Sequence, residues 1–422
     1  MWTRFFTPGG RARVLAAAAV IGLLLLMLPP VRQRLAWRVT LWRSRLYYAL
    51  RPPEEAVFVP SPPPTARPSA TRPAHAEPSP TPTPRPSPTP VATPTPRPPA
   101  AFWPPPRHEY QRWNNCAPAT LSMALAFWGW EGDQSVLAPL LKPNPRDKNV
   151  TPAEIEATVL YHTRYMAVAR PAGDLDLLRD FIAAGLPVMI EKGFEPADVE
   201  GWMGHYLLVW GYDDAKKKFY THDSYQGPER AVAYEALERD WRAFNFVFIV
   251  VYPPERDAQV HALLGQRADP LAAYHAAAGR AEAETKTLTG RPQVFAWFNL
   301  GESLVGLGDY ANAAQAYDQA FAGLAALPAA HRPWRWMWYH EGPYRAYYAQ
   351  GRYKDVIRLA TTTLKAMSEP VLEEAFYWRG RAYAALGDLD AARADFQQAL
   401  RAHPGYEPAQ RALQALDAGE TP

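Results

Sequence analysis

Cysteine is nearly absent from this 422-residue sequence, in which Cys116 is the single one. One thiol cannot form an internal disulfide or a cysteine-based zinc site, so Cys116 is either an inert buried residue or a reactive group. The sequence also lacks a glycine-rich phosphate-binding loop, and we expect no cofactor and no metal ion. A basic stripe with interleaved aromatic residues is missing too, so nucleic-acid binding is not expected.

Acidic residues are missing from residues 1–51, which hold nine arginines, whereas the rest of the chain carries 36 basic and 42 acidic side chains. Within this basic segment, residues 14–28 form an uncharged apolar run. Its 15 residues are few for a membrane span of about 20, and they suit the core of a signal peptide equally well. Because two prolines follow and no small-residue cleavage site does, we favour an uncleaved signal anchor over a cleaved signal peptide or a buried helix.

Prolines are concentrated in residues 52–106, which hold 22 of the 45. Proline favours the extended polyproline II conformation, so we expect a disordered linker that spans up to about 170 Å at ~3.1 Å per residue. The arginines after the apolar run favour a cytoplasmic C-terminus, but long domains translocate regardless of such charges. A Pro/Thr spacer suits passage through a cell wall. We therefore predict a single-pass protein of the cell membrane with extracytoplasmic C-terminal domains; a cytoplasmic tether is the alternative.

A globular domain is predicted over residues 107–256. Its first part, residues 111–129, indicates a loop that runs into an apolar helix, with Cys116 at the helix N-terminus and Gly129 as the stop. The helix dipole and the free N–H groups at such a position favour a thiolate. Gln111, five residues upstream, can direct its side-chain amide toward an oxyanion.

A thiolate nucleophile requires a base, and residues 204–227 predict a β-hairpin that supplies one. The first strand starts at His205. If the turn has three residues, His205 faces Asp223; a turn of two or four residues shifts the partner to Ser224. His222 alternates to the opposite face, and we interpret it as structural.

Two further carboxylates belong to the turn of this hairpin. Asp213 and Asp214 are typical turn residues, and either is a fallback partner for the histidine.

These motifs occur in the order found in a known family. The Gln–Asn-Asn-Cys–Pro-Ala run, the Gly-His-Tyr strand start and the Asp-Ser-Tyr-x-Gly turn resemble papain-like cysteine peptidases of the bacteriocin-processing (double-glycine, C39-like) type. The resemblance covers about residues 107–254 and implies an α+β fold, with a Cys-bearing helix on an antiparallel sheet and a peptide or protein as substrate. The resemblance also implies a role for each site residue: Cys116 would be the nucleophile, His205 the general base and acid, Asp223 the carboxylate that orients the histidine, and Gln111 the donor to the oxyanion.

One residue departs from the family pattern. Ala117 stands where the family usually has glycine, and its methyl group could crowd a substrate backbone. An inactive peptidase fold used as a binding scaffold is therefore the alternative function. The same catalytic residues also serve acyl transfer to an amine, so hydrolysis and transfer both remain open.

Residues 257–422 are predicted to be an all-α array. Two segments, 297–320 and 376–404, carry small and aromatic residues at the same relative positions. They resemble tetratricopeptide repeats. A degenerate copy lies near 347–356, and a half-repeat is predicted in 257–290. We expect such an array to bind a protein partner on its concave face or to pack against the peptidase-like domain.

Overall fold

The computed structural model describes residues 15–17, 20, 28–50, 57–61, 97–147, 149–195, 201–367 and 369–422. Most of the apolar run at residues 14–28, and with it the predicted anchor helix, lies outside this set. Helix α1 follows the run and spans Pro29–Leu50. Within the described part of the chain, no helix combines the length and the apolar character that a membrane span requires.

The first domain contains one antiparallel sheet with helices on both faces, so the α+β prediction is confirmed. Its strands are β1 (Ala100–Phe102), β2 (Met166–Arg170), β3 (Val188–Phe194), β4 (Met203–Asp213), β5 (Lys218–Asp223), β6 (Gly227–Ala233) and β7 (Phe248–Tyr252). Its helices are α2 (Cys116–Ala126), α3 (Gln134–Leu141), α4 (Pro152–His162), α5 (Leu175–Ala183) and α6 (Tyr234–Trp241). The strand order is β2-β7-β3-β4-β5-β6, and β1 pairs with the end of β4.

Alternate residues of the central strands enter two separate cores. Met189 and Leu208 pack beneath α2, whereas Val188 and Leu207 face the core that contains α5. This period of two is what a sheet with both faces covered requires. Helix α2 is buried along most of its length, and it begins at Cys116 as predicted.

The second region is helical, as predicted. Its helices are α7 (Asp257–Leu264), α8 (Pro270–Thr287), α9 (Gly290–Gly306), α10 (Tyr310–Ala326), α11 (Gly342–Ala349), α12 (Tyr353–Lys365), α13 (Glu373–Ala385), α14 (Leu389–Ala402) and α15 (Glu407–Asp417). Paired helices approach closely where glycine removes a side chain. A Cβ atom at Gly301 would lie 2.6 Å from the Tyr317 ring, and one at Gly380 would lie 2.8 Å from Phe396.

The array packs against the first domain. The backbone N–H of Asn245 donates to Asn299 of α9 (3.1 Å), and the Asn245 side chain donates to Ser303 (2.9 Å). Trp202, from the loop before β4, lies 5.2 Å from the Trp336 ring of the array. Because these groups are buried, the two regions form a continuous interior at this junction, which agrees with the second of the two expectations for the array.

The proline-rich segment is ordered at its N-terminal end, so the prediction of a wholly disordered linker is wrong there. Phe58 is buried against Phe321 (4.9 Å between ring centroids) and Tyr347. The backbone N–H and hydroxyl of Ser61 both donate to Asp355. An aromatic ring among prolines can dock because it buries apolar area that proline and threonine do not offer.

The C-terminal end of this segment is ordered as well. Arg97 forms ion pairs with Asp176 (2.7 Å) and Asp180 (2.6 Å) of α5. Strand β1 follows and extends the sheet, and the Trp103 indole donates to the carbonyl of Ile182. The first domain therefore begins near residue 97 and not at 107.

Candidate active site

Cys116 lies at the first position of α2 and is partly exposed. The preceding Asn115 makes no side-chain cap, so its side chain leaves the first N–H groups of the helix uncapped. Asn114, one residue earlier, adopts a left-handed conformation with φ of 52°. As the first residue of the helix, Cys116 lies at the positive end of the helix dipole.

A buried polar network holds the loop that precedes Cys116. Glu109 accepts hydrogen bonds from the Ser122 hydroxyl and from the side-chain amide of Gln134 (2.8 Å). Gln134 in turn accepts from the backbone N–H of Arg112 (2.7 Å) and from Asn115 (3.2 Å). Because the network is closed on itself inside the protein, it fixes the loop position without relying on solvent.

His205 and Asp223 form the second part of the site. His205 Nε2 lies 2.8 Å from Asp223 Oδ1, and both residues are almost fully buried. The same carboxylate oxygen accepts the backbone N–H groups of Tyr225 and Gln226, each at 2.8 Å. The imidazole also stacks on Phe194 at 4.8 Å. With Nε2 engaged by Asp223, the other ring nitrogen makes the hydrogen bond that joins His205 to Cys116.

The hairpin reaches this geometry by a register that differs from the prediction. Strands β4 and β5 are joined by a four-residue turn, 214–217, and a bulge then shifts the ladder by one residue. The ladder between these strands ends where Leu208 pairs with His222. Neither predicted pairing of His205 occurs. The chain leaves the ladder at Asp223, and this carboxylate reaches the imidazole diagonally.

Gln111 lies beside the same turn. Its backbone N–H donates to the carbonyl of Ser224 (3.0 Å), and its side-chain oxygen accepts from the Ser224 hydroxyl (2.9 Å). The Gln111 Nε2 group has no partner among the described residues, so it remains a free donor. Sequence reasoning missed Ser224 in this role, although its position directly after Asp223 placed it in the motif.

The charged groups of the site counteract the effect of burial on the pKa values of Cys116 and His205. Burial raises the pKa of Cys116, but the hydrogen bond and positive charge of His205 outweigh it, helped by the Tyr206 N–H and by Lys142, so the thiol pKa is below its usual value. Burial lowers the pKa of His205, while Asp223 and the thiol raise it, to about 9. Between these two pKa values the pair is a thiolate and an imidazolium.

The fallback residues of the hairpin turn are engaged elsewhere. Asp214 pairs with Arg179 (2.8 Å) and accepts from the Tyr234 hydroxyl. Asp213 accepts from Lys216 within the turn.

His222 makes structural contacts with both of its ring nitrogens. Nε2 donates to the carbonyl of Pro106 (2.9 Å), and Nδ1 accepts from the backbone of Glu229 (3.1 Å). These contacts agree with its interpretation as a structural residue.

The array contributes a residue next to the site, which the sequence did not indicate. The Tyr339 hydroxyl accepts the backbone N–H of Gly204, the residue before His205. A Cβ atom at Gly204 would lie 2.7 Å from Phe244 and 2.9 Å from Tyr339. Glycine is therefore needed here for the array to approach, and the array contacts the strand directly before His205.

One group of side chains in the described part of the chain has metal-like spacing. Glu154, Glu373 and His403 each place a ligand atom within 4.8 Å of the others, although His403 Nδ1 already bonds Glu373 at 2.6 Å. The group spans the junction of the two regions and includes none of the predicted site residues.

Comparison with known families agrees with this architecture. Residues 103–249 match the Peptidase_C39 like family. The domain is C39-like. Residues 296–322 and 345–407 match tetratricopeptide repeat families, so a C39-like domain followed by such repeats is confirmed. A solved structure of a C39-like peptidase from Bacillus anthracis is 17% identical and covers 36% of this chain and 96% of its own, with a TM-score of 0.30. No curated protein matches the chain.

The C39-like site predicts a reactive thiol at mildly acidic pH. Cys116 should react with iodoacetamide at pH 6, where an ordinary thiol of pKa about 8.5 is protonated. His205→Ala removes the main group that lowers the thiol pKa, so the alkylation rate at pH 6 should fall at least tenfold. Mass spectrometry of the single cysteine gives the rate without interference. The exposed histidine variant His275→Ala is the control and should match the native rate; equal rates for all three proteins at pH 6 would contradict the ion pair.

Proposed function

We propose that this chain is a cysteine peptidase that hydrolyses peptide bonds through Cys116, His205 and Asp223. The observation that carries the proposal is the buried imidazole of His205, bonded to a carboxylate on one side and to the thiol on the other. The nucleophile is thus hydrogen-bonded to the base, and the base is hydrogen-bonded to the orienting group, which is the arrangement that this chemistry requires. The C39-like fold supports the same reaction class.

In the proposed mechanism the Cys116 thiolate attacks the carbonyl carbon of the scissile peptide bond. The carbonyl oxygen becomes an oxyanion, which the Gln111 amide and the N–H groups at the start of α2 stabilise. The His205 imidazolium then gives its proton to the leaving amine, the C–N bond breaks, and a thioester remains. Water attacks the thioester while His205 takes its proton, and the thiolate departs from the new carboxylic acid. Replacing water by an amine gives acyl transfer instead.

Asp223 acts on the orientation of the base. It binds Nε2, and this leaves the other ring nitrogen directed at Cys116. Burial raises the pKa of Asp223, but the charge and hydrogen bond of His205 lower it well below the usual range, so the carboxylate stays ionised beside the imidazolium.

Replacing the oxyanion donor tests the proposed reaction. Gln111→Ala should lower kcat on a quenched fluorescent peptide library by about 10²–10³, the usual loss for one oxyanion donor. Alkylation of Cys116 at pH 6 should be unchanged, because Gln111 does not hold the thiolate. The exposed glutamine of the array in Gln398→Ala serves as the control and should leave both readouts at native values. Native turnover in the Gln111 variant would remove this residue from the mechanism.

The alternative function, a binding scaffold without turnover, rests on Ala117. Its side chain is 1% exposed and belongs to the core beneath α2. A methyl group directed into the core does not crowd a substrate, so the geometry favours the enzyme over the scaffold.

Substituting this alanine separates the two functions. Ala117→Gly should leave activity within about twofold and should lower the free energy of unfolding by about 1–2 kcal/mol, from a buried methyl and a helical glycine. Ala119→Gly is the matched control, since Ala119 is equally buried in the same helix. A tenfold rise in activity with Ala117→Gly alone would identify Ala117 as a brake. If neither protein turns over peptides and Cys116 is inert at pH 6, the scaffold is the function.

The proposed enzyme is held at the outer side of the cell membrane by residues 14–28. The uncharged run supports a membrane anchor. The arginines that follow the run do not oppose the location, because long downstream domains translocate regardless of such charges, and the Pro/Thr spacer suits passage through a cell wall. The tetratricopeptide region supports an interaction with a protein partner as well.

Cell fractionation tests the location. The protein should sediment with membranes, and protease added to intact cells should degrade residues 97–422. A domain that is protected until lysis would reverse the orientation, whereas a soluble form beginning near residue 30 would show a cleaved signal peptide.

A further inference from the structure

A cavity of about 460 Å³ lies between the C39-like domain and the array. We call it the junction cavity. Sites that bind small molecules occupy ~300–1,000 Å³. Its walls come from both regions: Arg170, Glu191 and Phe244 belong to the domain, and Glu302 and His340 belong to the array. Neither region forms this space alone.

Two glutamates of the wall are balanced by arginines. Glu156 lies 3.6 Å from Arg170, and Glu341 lies 3.5 Å from Arg345. These four side chains line the cavity and cancel one another's charge.

Three further glutamates of the wall form no salt bridge within the described part of the chain; of the three, Glu302 alone has a positive charge acting on it, that of Arg345. Glu302 accepts from the Tyr317 hydroxyl (3.1 Å), and Glu191 is hydrogen-bonded to the Tyr206 hydroxyl. Glu374 Oε2 is buried and makes no hydrogen bond within the described part of the chain. Burial raises the pKa of each carboxyl group, so each is held toward its neutral form. A positive charge placed among them would allow them to ionise and would be strongly attracted.

Aromatic side chains line the same space. Phe244, Trp338, Tyr339, His340 and Tyr344 contribute to the wall. Aromatic faces attract ammonium and guanidinium groups, most strongly where water is excluded. The Trp338 indole N–H is buried without a partner in the described residues, so an acceptor such as a peptide carbonyl would satisfy it.

The junction cavity adjoins the candidate active site. Glu191 pairs in register with Tyr206, whose backbone N–H bonds the Cys116 sulfur. Tyr339 lines the cavity and accepts from Gly204, the neighbour of His205. A molecule seated in the cavity therefore contacts Glu191 and Tyr339, and these two residues contact the strand that carries His205.

We propose that the junction cavity binds an organic cation, an alkylammonium or guanidinium group, through Glu191, Glu302 and Glu374. We assign this cation to a lysine or arginine side chain of the substrate for two reasons. A peptide would supply the carbonyl acceptor that the Trp338 indole lacks, and the cavity lies near Cys116. That assignment of the source rests on the function proposed above, whereas cation binding does not.

Binding measurements on the full chain carrying Cys116→Ala test the proposal without turnover. By calorimetry, an acetylated and amidated pentapeptide with a central arginine should bind at least tenfold more tightly than its citrulline counterpart, which has the same shape and no charge. Equal affinity of the two peptides for this protein would overturn binding of a substrate cation. Agmatine is the second probe. If agmatine binds and the arginine peptide shows no preference, the ligand is a free amine; if neither does, the proposal is wrong.

Variants of the wall locate the binding. Glu302→Gln with Glu374→Gln should remove the preference for arginine over citrulline, because the amides keep the shape and lose the charge. Glutamine at 302 can still accept from Tyr317, so the fold should be retained, as circular dichroism would show. The control pair Glu282→Gln with Glu407→Gln removes the same charge from exposed sites of the array and should keep the preference. If both double variants lose the preference for arginine, the cause is the overall charge of the protein and not the cavity.

Iodoacetamide labelling keeps the two proposals apart. In the chain with Cys116 intact, Glu302→Gln with Glu374→Gln should leave alkylation at pH 6 unchanged. If Cys116 is inert but binding still prefers arginine, the proposed peptidase function is wrong and the proposed cation site stands.

Discussion

The buried contact between His205 and Asp223 is the interaction on which the site depends. An imidazolium that is 2% exposed needs a carboxylate and a second hydrogen-bond partner, because removing one member of a buried pair costs about 3–5 kcal/mol. The protein meets this requirement at 2.8 Å with Asp223 on one side and with the thiol on the other. Asp223 itself is held by two backbone N–H groups of the turn that follows it. The end of the hairpin therefore has the conformation that holds the His205 imidazole.

The thiol reaches this ring from a separate segment. Glu109 and Gln134 fix the loop ahead of Cys116 through hydrogen bonds that stay inside the protein. Lys142 donates to the carbonyl of Asn114 (2.7 Å) and adds positive charge near the sulfur. Burial alone would protonate the thiol, so the lowered pKa of Cys116 is a property of this assembly and not of the helix N-terminus by itself.

The helical array belongs to the same body as the C39-like domain. Asn245 is bonded on two sides to α9, and Tyr339 bonds the strand that carries His205. The array also holds residues 57–61, through the Phe58 ring and the Ser61 hydroxyl. Residues 97–103, at the other end of the proline-rich segment, lie against the C39-like domain through Arg97, strand β1 and Trp103.

Local signals in the sequence determined the helix that begins at Cys116 and the helical repeats. Each depends on residues within one or two turns of each other, where periodicity and glycine act directly. The Cys116 helix itself ends at Ala126, and Gly129 closes the turn that follows it. The order of the motifs also placed Cys116, His205, Asp223 and Gln111 in one domain.

Only the tertiary structure decided how these parts meet. The bulge in the hairpin, the docking of Phe58, the approach of Tyr339 to Gly204 and the glutamates of the junction cavity all depend on contacts between segments far apart in the chain. No local pattern encodes such contacts, because their energy comes from burial and charge that exist only after the segments have packed.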